Sequence, residues 1–115
     1  MSETPLISQV SPAGAAPGLS IVLPCYNESQ VIRETHRRVS LVCQATRLPY
    51  EIIVVNDGSA DGTWTELLQL TRGDPHLVAI NLSRNHGHQL ALSAGLSFSR
   101  GERILIMDAD LQDPP

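Results

Sequence analysis

Glu51-Ile52-Ile53-Val54-Val55-Asn56-Asp57-Gly58-Ser59 is the stretch on which the fold turns. A single acid opens it, four Ile and Val residues follow without polar alternation, and a polar turn closes it. An apolar run that does not alternate suits a strand of a parallel sheet covered on both faces. Asn, Asp, Gly and Ser beyond it tolerate tight backbone geometry.

Three other runs have the same character: Leu19 to Leu23, Leu77 to Leu82 and Arg103 to Met107. Helical patterns fill the gaps between them. Val31, Ile32, Val39, Val42 and Cys43 form the expected inner face of a first helix, with Arg33, Glu34, Arg37 and Arg38 largely outside. Thr63 to Glu66 has capping-box spacing before Leu67, Leu68 and Leu70. Leu90, Ala94 and Phe98 recur every four residues with Ala91 and Gly95 beside them, so a third helix is expected to pack closely on the sheet. This alternation predicts right-handed βαβ units and an α/β fold, an open doubly wound, mostly parallel sheet of about four strands and three helices. Residues 1–18, with Pro5, Pro12, Pro17, Gly14 and Gly18, are expected to be a flexible leader.

The 115 residues are 42% hydrophobic with a net charge of -4, which fits one globular domain and lacks the basic stripe of a nucleic-acid binder. All basic residues are arginine, which excludes a Schiff-base lysine and a P-loop lysine. Cys25 and Cys43 are too few for a disulfide framework and read as reduced thiols of a cytosolic protein. No apolar run has the length of a bilayer span, and an N-terminus with Glu3 and no basic residue does not read as a secretory signal. A cytoplasmic location is expected, with membrane contact coming from segments outside these residues.

In a doubly wound sheet, ligands bind beyond the carboxyl ends of the strands, where strand order reverses. Every polar cluster falls at such an end: Pro24-Cys25-Tyr26-Asn27-Glu28, Asn56 to Ser59, Ser83-Arg84-Asn85-His86-Gly87, and Asp108-Ala109-Asp110. Asp108 and Asp110 point the same way if the strand continues, and paired hard oxygens there suit a divalent cation shared with substrate phosphates. Gln112 adds another oxygen at the same interval. A carboxylate ending the run Ile104 to Met107 would cost solvation without a partner; the alternative is a solvated acidic loop. Asp57 could accept a hydrogen bond from a base N–H, whereas turn and cap geometry explains Gly58, Ser59, Asp61 and Gly62. Asn27 and Glu28 could cap the first helix, and Pro24 beside Tyr26 could wall a nucleobase pocket. Arg84 could neutralise a phosphate near the N–H groups of a turn at Gly87, or pair with a carboxylate. His86 and His88 share no helix face and form no zinc site.

Ser20 to Glu28, Glu51 to Ser59 and Asp108-Ala109-Asp110 together resemble glycosyltransferase family 2. Ser83 to Leu92 and Asp108 to Pro115 are similar to the polyprenyl-phosphate glycosyltransferases, the branch with dolichol-phosphate mannose synthase and bacterial undecaprenyl-phosphate sugar transferases. The resemblance covers residues 19 to 115. It implies the glycosyltransferase A fold, a nucleotide-diphospho-sugar donor, Mg²⁺ or Mn²⁺, inversion at the anomeric carbon and a lipid-phosphate acceptor. By that likeness Pro24, Tyr26, Glu28 and Asp57 would hold the nucleotide. Asp108 would hold the ribose or the metal, and Asp110 and Gln112 the metal and its diphosphate, with catalysis centred on Asp110. Because the family's domain runs well past this motif, residues 19–115 are expected to be its N-terminal, donor-binding part, without turnover on their own. A polysaccharide or protein acceptor, or a non-catalytic nucleotide- or metal-binding module, are the alternatives. Self-association is compatible with each.

Overall fold

In the computed structural model, which describes residues 6–7, 17–82 and 87–107, the chain runs β1 (Leu6–Ile7), β2 (Leu19–Cys25), α1 (Ile32–Thr46), β3 (Tyr50–Asp57), α2 (Thr63–Gly73), β4 (Leu77–Leu82), α3 (His88–Phe98) and β5 (Arg103–Ile106). The strands form one sheet in the order β1-β4-β3-β2-β5. All neighbours are parallel except β1, which pairs antiparallel with β4 through Leu6↔Asn81 and Ile7↔Ile80. The leader expectation contained no strand; two of its residues supply this edge.

From β2 the chain steps through α1 to β3 and through α2 to β4, always in one direction. Helix α3 then carries it back to the other side of β2. Strand order therefore reverses between β2 and β5. Alternate residues of each strand face opposite layers. Leu19, Ile21, Leu23, Ile52, Val54, Leu67, Leu77 and Ala79 join Ile32, Val39 and Cys43 in the core under α1 and α2. Ile53, Val55, Val78, Ile80 and Leu82 pack with Ala91 beneath α3. The doubly wound α/β reading holds.

Several local expectations change. Val42 is 57% exposed, and α1 buries the stripe Ile32, Thr35, Val39 and Cys43 instead, at intervals of three and four. Helix α3 buries its small residues, Ala91 and Gly95, while Leu90 and Phe98 face outward. A Cβ at Gly95 would stand 2.5 Å from Val22 Cγ1, so the glycine is what lets this helix lie so close to the sheet. Thr63 begins α2 without a capping box. The N-cap, Gly62, has no side-chain cap, and Glu66 pairs with Arg33 of α1. The largest change is β5, predicted as a buried strand from its composition. Among the described residues it is a sheet edge, with Ile104, Leu105 and Ile106 exposed. The desolvation expected for Asp108 from this apolar run therefore does not extend along the strand that leads to it. Among the described residues, no helix is long and apolar enough to cross a membrane.

Candidate functional site

The carboxyl ends of β2 and β3 open into loops that are stitched to each other. Asn27 takes a left-handed conformation, φ 54°, which short polar side chains tolerate. Its N–H donates to Ser59 Oγ at 2.8 Å, and its Oδ1 accepts the Ala60 N–H at 2.8 Å. Glu28 N–H donates to Thr63 Oγ1 at 2.9 Å, and Ser29 N–H to Asp61 Oδ2 at 3.2 Å. Ser59 passes its hydroxyl hydrogen to Asn56 Oδ1, and Asn56 Nδ2 donates to Asn81 Oδ1 at 2.8 Å. One polar chain thus crosses the ends of β2, β3 and β4. Side-chain capping of α1 by Asn27 or Glu28 is not what forms, since the N-cap is Val31 and carries no side-chain cap.

Pro24 is buried within β2, whereas Tyr26 is 45% exposed at the strand's mouth. The ladder between β2 and β5 runs from Arg103 N–H to Gly18 O, at 3.1 Å, up to Met107 N–H to Val22 O, at 3.0 Å. The next rung would need an amide hydrogen on residue 24, which proline lacks. Pro24 ends the pairing at the point of strand-order reversal, where such a sheet forms its crevice.

Asp57 ends β3 almost fully buried, and its Oδ2 accepts the Gly87 N–H at 3.0 Å. That N–H, expected to be offered to a phosphate, is engaged by the protein. The neighbourhood is acidic. Burial, followed by the charges of Glu28, Asp61 and Asp57, pushes the Cys25 thiol up to about 12. Burial works against the Asp61 carboxylate, but hydrogen bonds from Thr63 and Ser29 outweigh it and bring that group down to about 2.

Arg84, Asp108, Asp110 and Gln112 lie outside the described residues. Among the described residues no three His, Cys, Asp or Glu side chains form a metal-binding group. Asp108, Asp110 and Gln112, expected from the sequence to hold a divalent cation, carry the hard oxygen donors that suit Mg²⁺ or Mn²⁺. The rim also fits such an ion. With Glu28, Asp57 and Asp61 around Cys25, a diphosphate would meet like charge unless a divalent cation came with it.

Sequence reasoning missed Ser59, Thr63 and Asn81 as partners in this rim, although each is polar and closes or follows an apolar run. It also missed a cavity of about 480 Å³ at the amino ends of β3 and β4, lined by residues that include His36, Ser40, Tyr50, Asp74 and His76. His36 Nε2 and Asp74 Oδ2 lie 2.7 Å apart there, at the opposite end of the strands from the acidic rim.

The doubly wound sheet, with loops hydrogen-bonded across its strand ends, is an α/β fold that matches solved structures of the glycosyltransferase A type. The model of the family described as "Glycosyl transferase family 2" matches residues 20–115, and the chain belongs to that family. It is 47% identical over 96 residues to the "Uncharacterized glycosyltransferase YkcC" of Bacillus subtilis (strain 168), covering 84% of this chain and 30% of that protein. It superposes with a TM-score of 0.70 and 25% identity on the mannosyltransferase PcManGT from Pyrobaculum calidifontis, solved in complex with GDP-Man and Mn²⁺, over 90% of this chain and 30% of that one. On S. aureus TarS 1-349 in complex with UDP-GlcNAc the TM-score is 0.66 at 25% identity, over 80% of this chain and 26% of that one. The chain thus spans less than a third of the length of these relatives.

Proposed function

We propose that this chain forms the donor-binding part of a metal-assisted glycosyltransferase, which moves a sugar from a nucleotide-diphospho-sugar to a polyprenyl phosphate with inversion. The observation that carries the donor half is the stitched rim along the carboxyl ends of β2, β3 and β4, which includes Asp57 and which Pro24 borders at the switch point beside β5. Tyr26 offers its exposed ring face to the base, and Asp57 accepts a base N–H. Glu28 lines the same rim. Arg84 would neutralise the phosphates, and Asp108, Asp110 and Gln112 would hold the cation. When bound, the ion neutralises charge that builds on the departing nucleoside diphosphate.

A lipid phosphate is already anionic at neutral pH, so this transfer does not call for a strong general base. The polyprenyl acceptor rests on the likeness of Ser83 to Leu92 and of Asp108 to Pro115 to that branch. We place the protein at the cytoplasmic face of a membrane for the same reason. The nucleotide-sugar and Mn²⁺ complexes of the similar structures support the donor and the metal.

Calorimetric titration with GDP, UDP and their sugar conjugates, with and without Mn²⁺, tests the donor reading. Metal-dependent binding is expected, weakened by about tenfold or more in Asp110→Ala. Equal binding in both proteins would remove the metal role. Transfer of labelled sugar by a full-length enzyme that contains this chain, into an organic-extractable polyprenyl phosphate, tests the acceptor, and label found only on polysaccharide or protein would replace it.

A further inference from the structure

Glu51 is 1% exposed, the second residue of β3, at the end of the sheet remote from the acidic rim. A carboxylate without water is costly unless donors surround it. Here Oε2 accepts the Ser20 hydroxyl at 2.6 Å and the backbone N–H of Arg100 at 2.7 Å. Oε1 faces Arg100 Nε at 3.7 Å. Ser20 Oγ in turn accepts the Gly101 N–H at 2.8 Å. One buried side chain joins the base of β3, the base of β2 and the turn from α3 into β5.

The turn has little slack. A Cβ on Gly101 would lie 2.6 Å from Ser20 Oγ and 2.7 Å from Ser20 N, so this backbone rests directly on β2. Strand β5 needs such a hold. It has four residues, pairs among the described residues with β2 alone, and leaves its side chains exposed there, so apolar burial does not fix its register. A slip of one residue would turn every side chain to the other face and move the strand end by about 3.3 Å.

We propose that Glu51 is a positioning residue: through Ser20, Arg100 and Gly101 it sets the register of β5 on β2. It thereby sets where the chain enters Asp108 and Asp110. The second half of this inference rests on the donor-site reading above; the first half does not. A glutamine could keep one oxygen for the Ser20 hydroxyl and Arg100 N–H donors but would turn its amide nitrogen toward the Arg100 guanidinium, so this variant tests the charge apart from the shape.

The test uses Glu51→Gln, with Ser20→Ala as a second variant should the first fail to fold. Amide hydrogen exchange is followed at Leu105 in β5, at Met107 just after it, and at Val54 and Ala79 in the inner strands, alongside Mn²⁺-dependent nucleotide affinity. Exchange in β5 is expected to accelerate about tenfold relative to the inner strands. Metal-dependent nucleotide affinity is expected to fall about fivefold or more, with metal-free binding unchanged. Equal acceleration in all strands would show a general loss of stability and overturn the proposal, as would unchanged exchange in β5. A loosened β5 with unaltered metal-dependent affinity would overturn the link to Asp108 and Asp110. If the unsubstituted protein shows no metal-dependent nucleotide binding, the donor-site reading fails, and the β5 exchange rates alone decide the clamp.

Discussion

The carboxylate of Asp57 accepts the backbone N–H of Gly87 at 3.0 Å, so the last residue of β3 holds the entry to α3. Asp57 thus has a structural task beside any nucleotide contact, and the two can be separated. Asp57→Asn keeps an acceptor oxygen for Gly87 but gives up the charge. Its stability should fall by about 1 kcal/mol, while nucleotide affinity falls about tenfold. Asp57→Ala leaves the Gly87 N–H unpaired and should cost about 1–3 kcal/mol. Urea unfolding and calorimetry measure the two effects. Intact nucleotide binding in Asp57→Asn would confine the residue to its structural task.

Gly95 is the point of closest approach between α3 and the sheet. An added Cβ would meet Val22 Cγ1 at 2.5 Å and Val55 Cγ2 at 3.1 Å. Alanine improves helix propensity by about 1 kcal/mol, but overpacking costs about 1–3 kcal/mol. Steric cost should win, and Gly95→Ala should lower the midpoint of denaturant unfolding. A raised midpoint would mean that α3 can move outward freely.

Cys25 and Cys43 sit in the core under α1 and α2, their thiols pushed up to about 12 and about 11, by burial first and nearby carboxylates second. The folded state holds these protons more tightly than the unfolded chain does. The resulting stability is complete below the unfolded thiol value and is lost as pH rises through the folded one. Unfolding free energy should therefore decline from pH 9 toward 12. An aromatic disulfide reagent at pH 8 should label neither thiol until the protein is unfolded. Fast labelling of the native protein would contradict this burial.

Asp61 reverses the sign. Its carboxyl is lowered to about 2, with burial opposing the stronger hydrogen bonds from Thr63 and Ser29. The stability it adds is present above its ordinary value near 3.8 and fades as pH falls toward 2. Asp61→Ala should cost about 1 kcal/mol at neutral pH, the typical loss of such a cap-like contact. It should also flatten the acid limb of the stability curve. An unchanged acid limb would assign the acid sensitivity to other groups.

Much of this protein could be read along the chain because strand and helix signals are local. The runs at Leu19, Glu51 and Leu77 became inner strands, and the polar clusters after Leu23 and Val55 met at one end of the sheet. The apolar run at Arg103 misled because composition reports what can be buried, not what lies over it. Val42, Leu90 and Phe98 misled similarly: the stripe a helix buries depends on how closely its small residues allow it to dock. Asn27 and Ser59 are 32 residues apart, and no local pattern announces their bond. Arg84, Asp108, Asp110 and Gln112 keep their assigned roles as proposals, since they lie outside the described residues.

Fold class, strand-end clustering and the family likeness were thus determined by the order of residues alone, because hydrophobic period and turn chemistry act over a few neighbours. Tertiary structure decided which loops are tied, where Pro24 ends the ladder to β5, and how Glu51 is satisfied in the core. Those outcomes depend on sheet register, which sets which distant hydrogen-bonding groups face one another, and a linear pattern does not carry that distance.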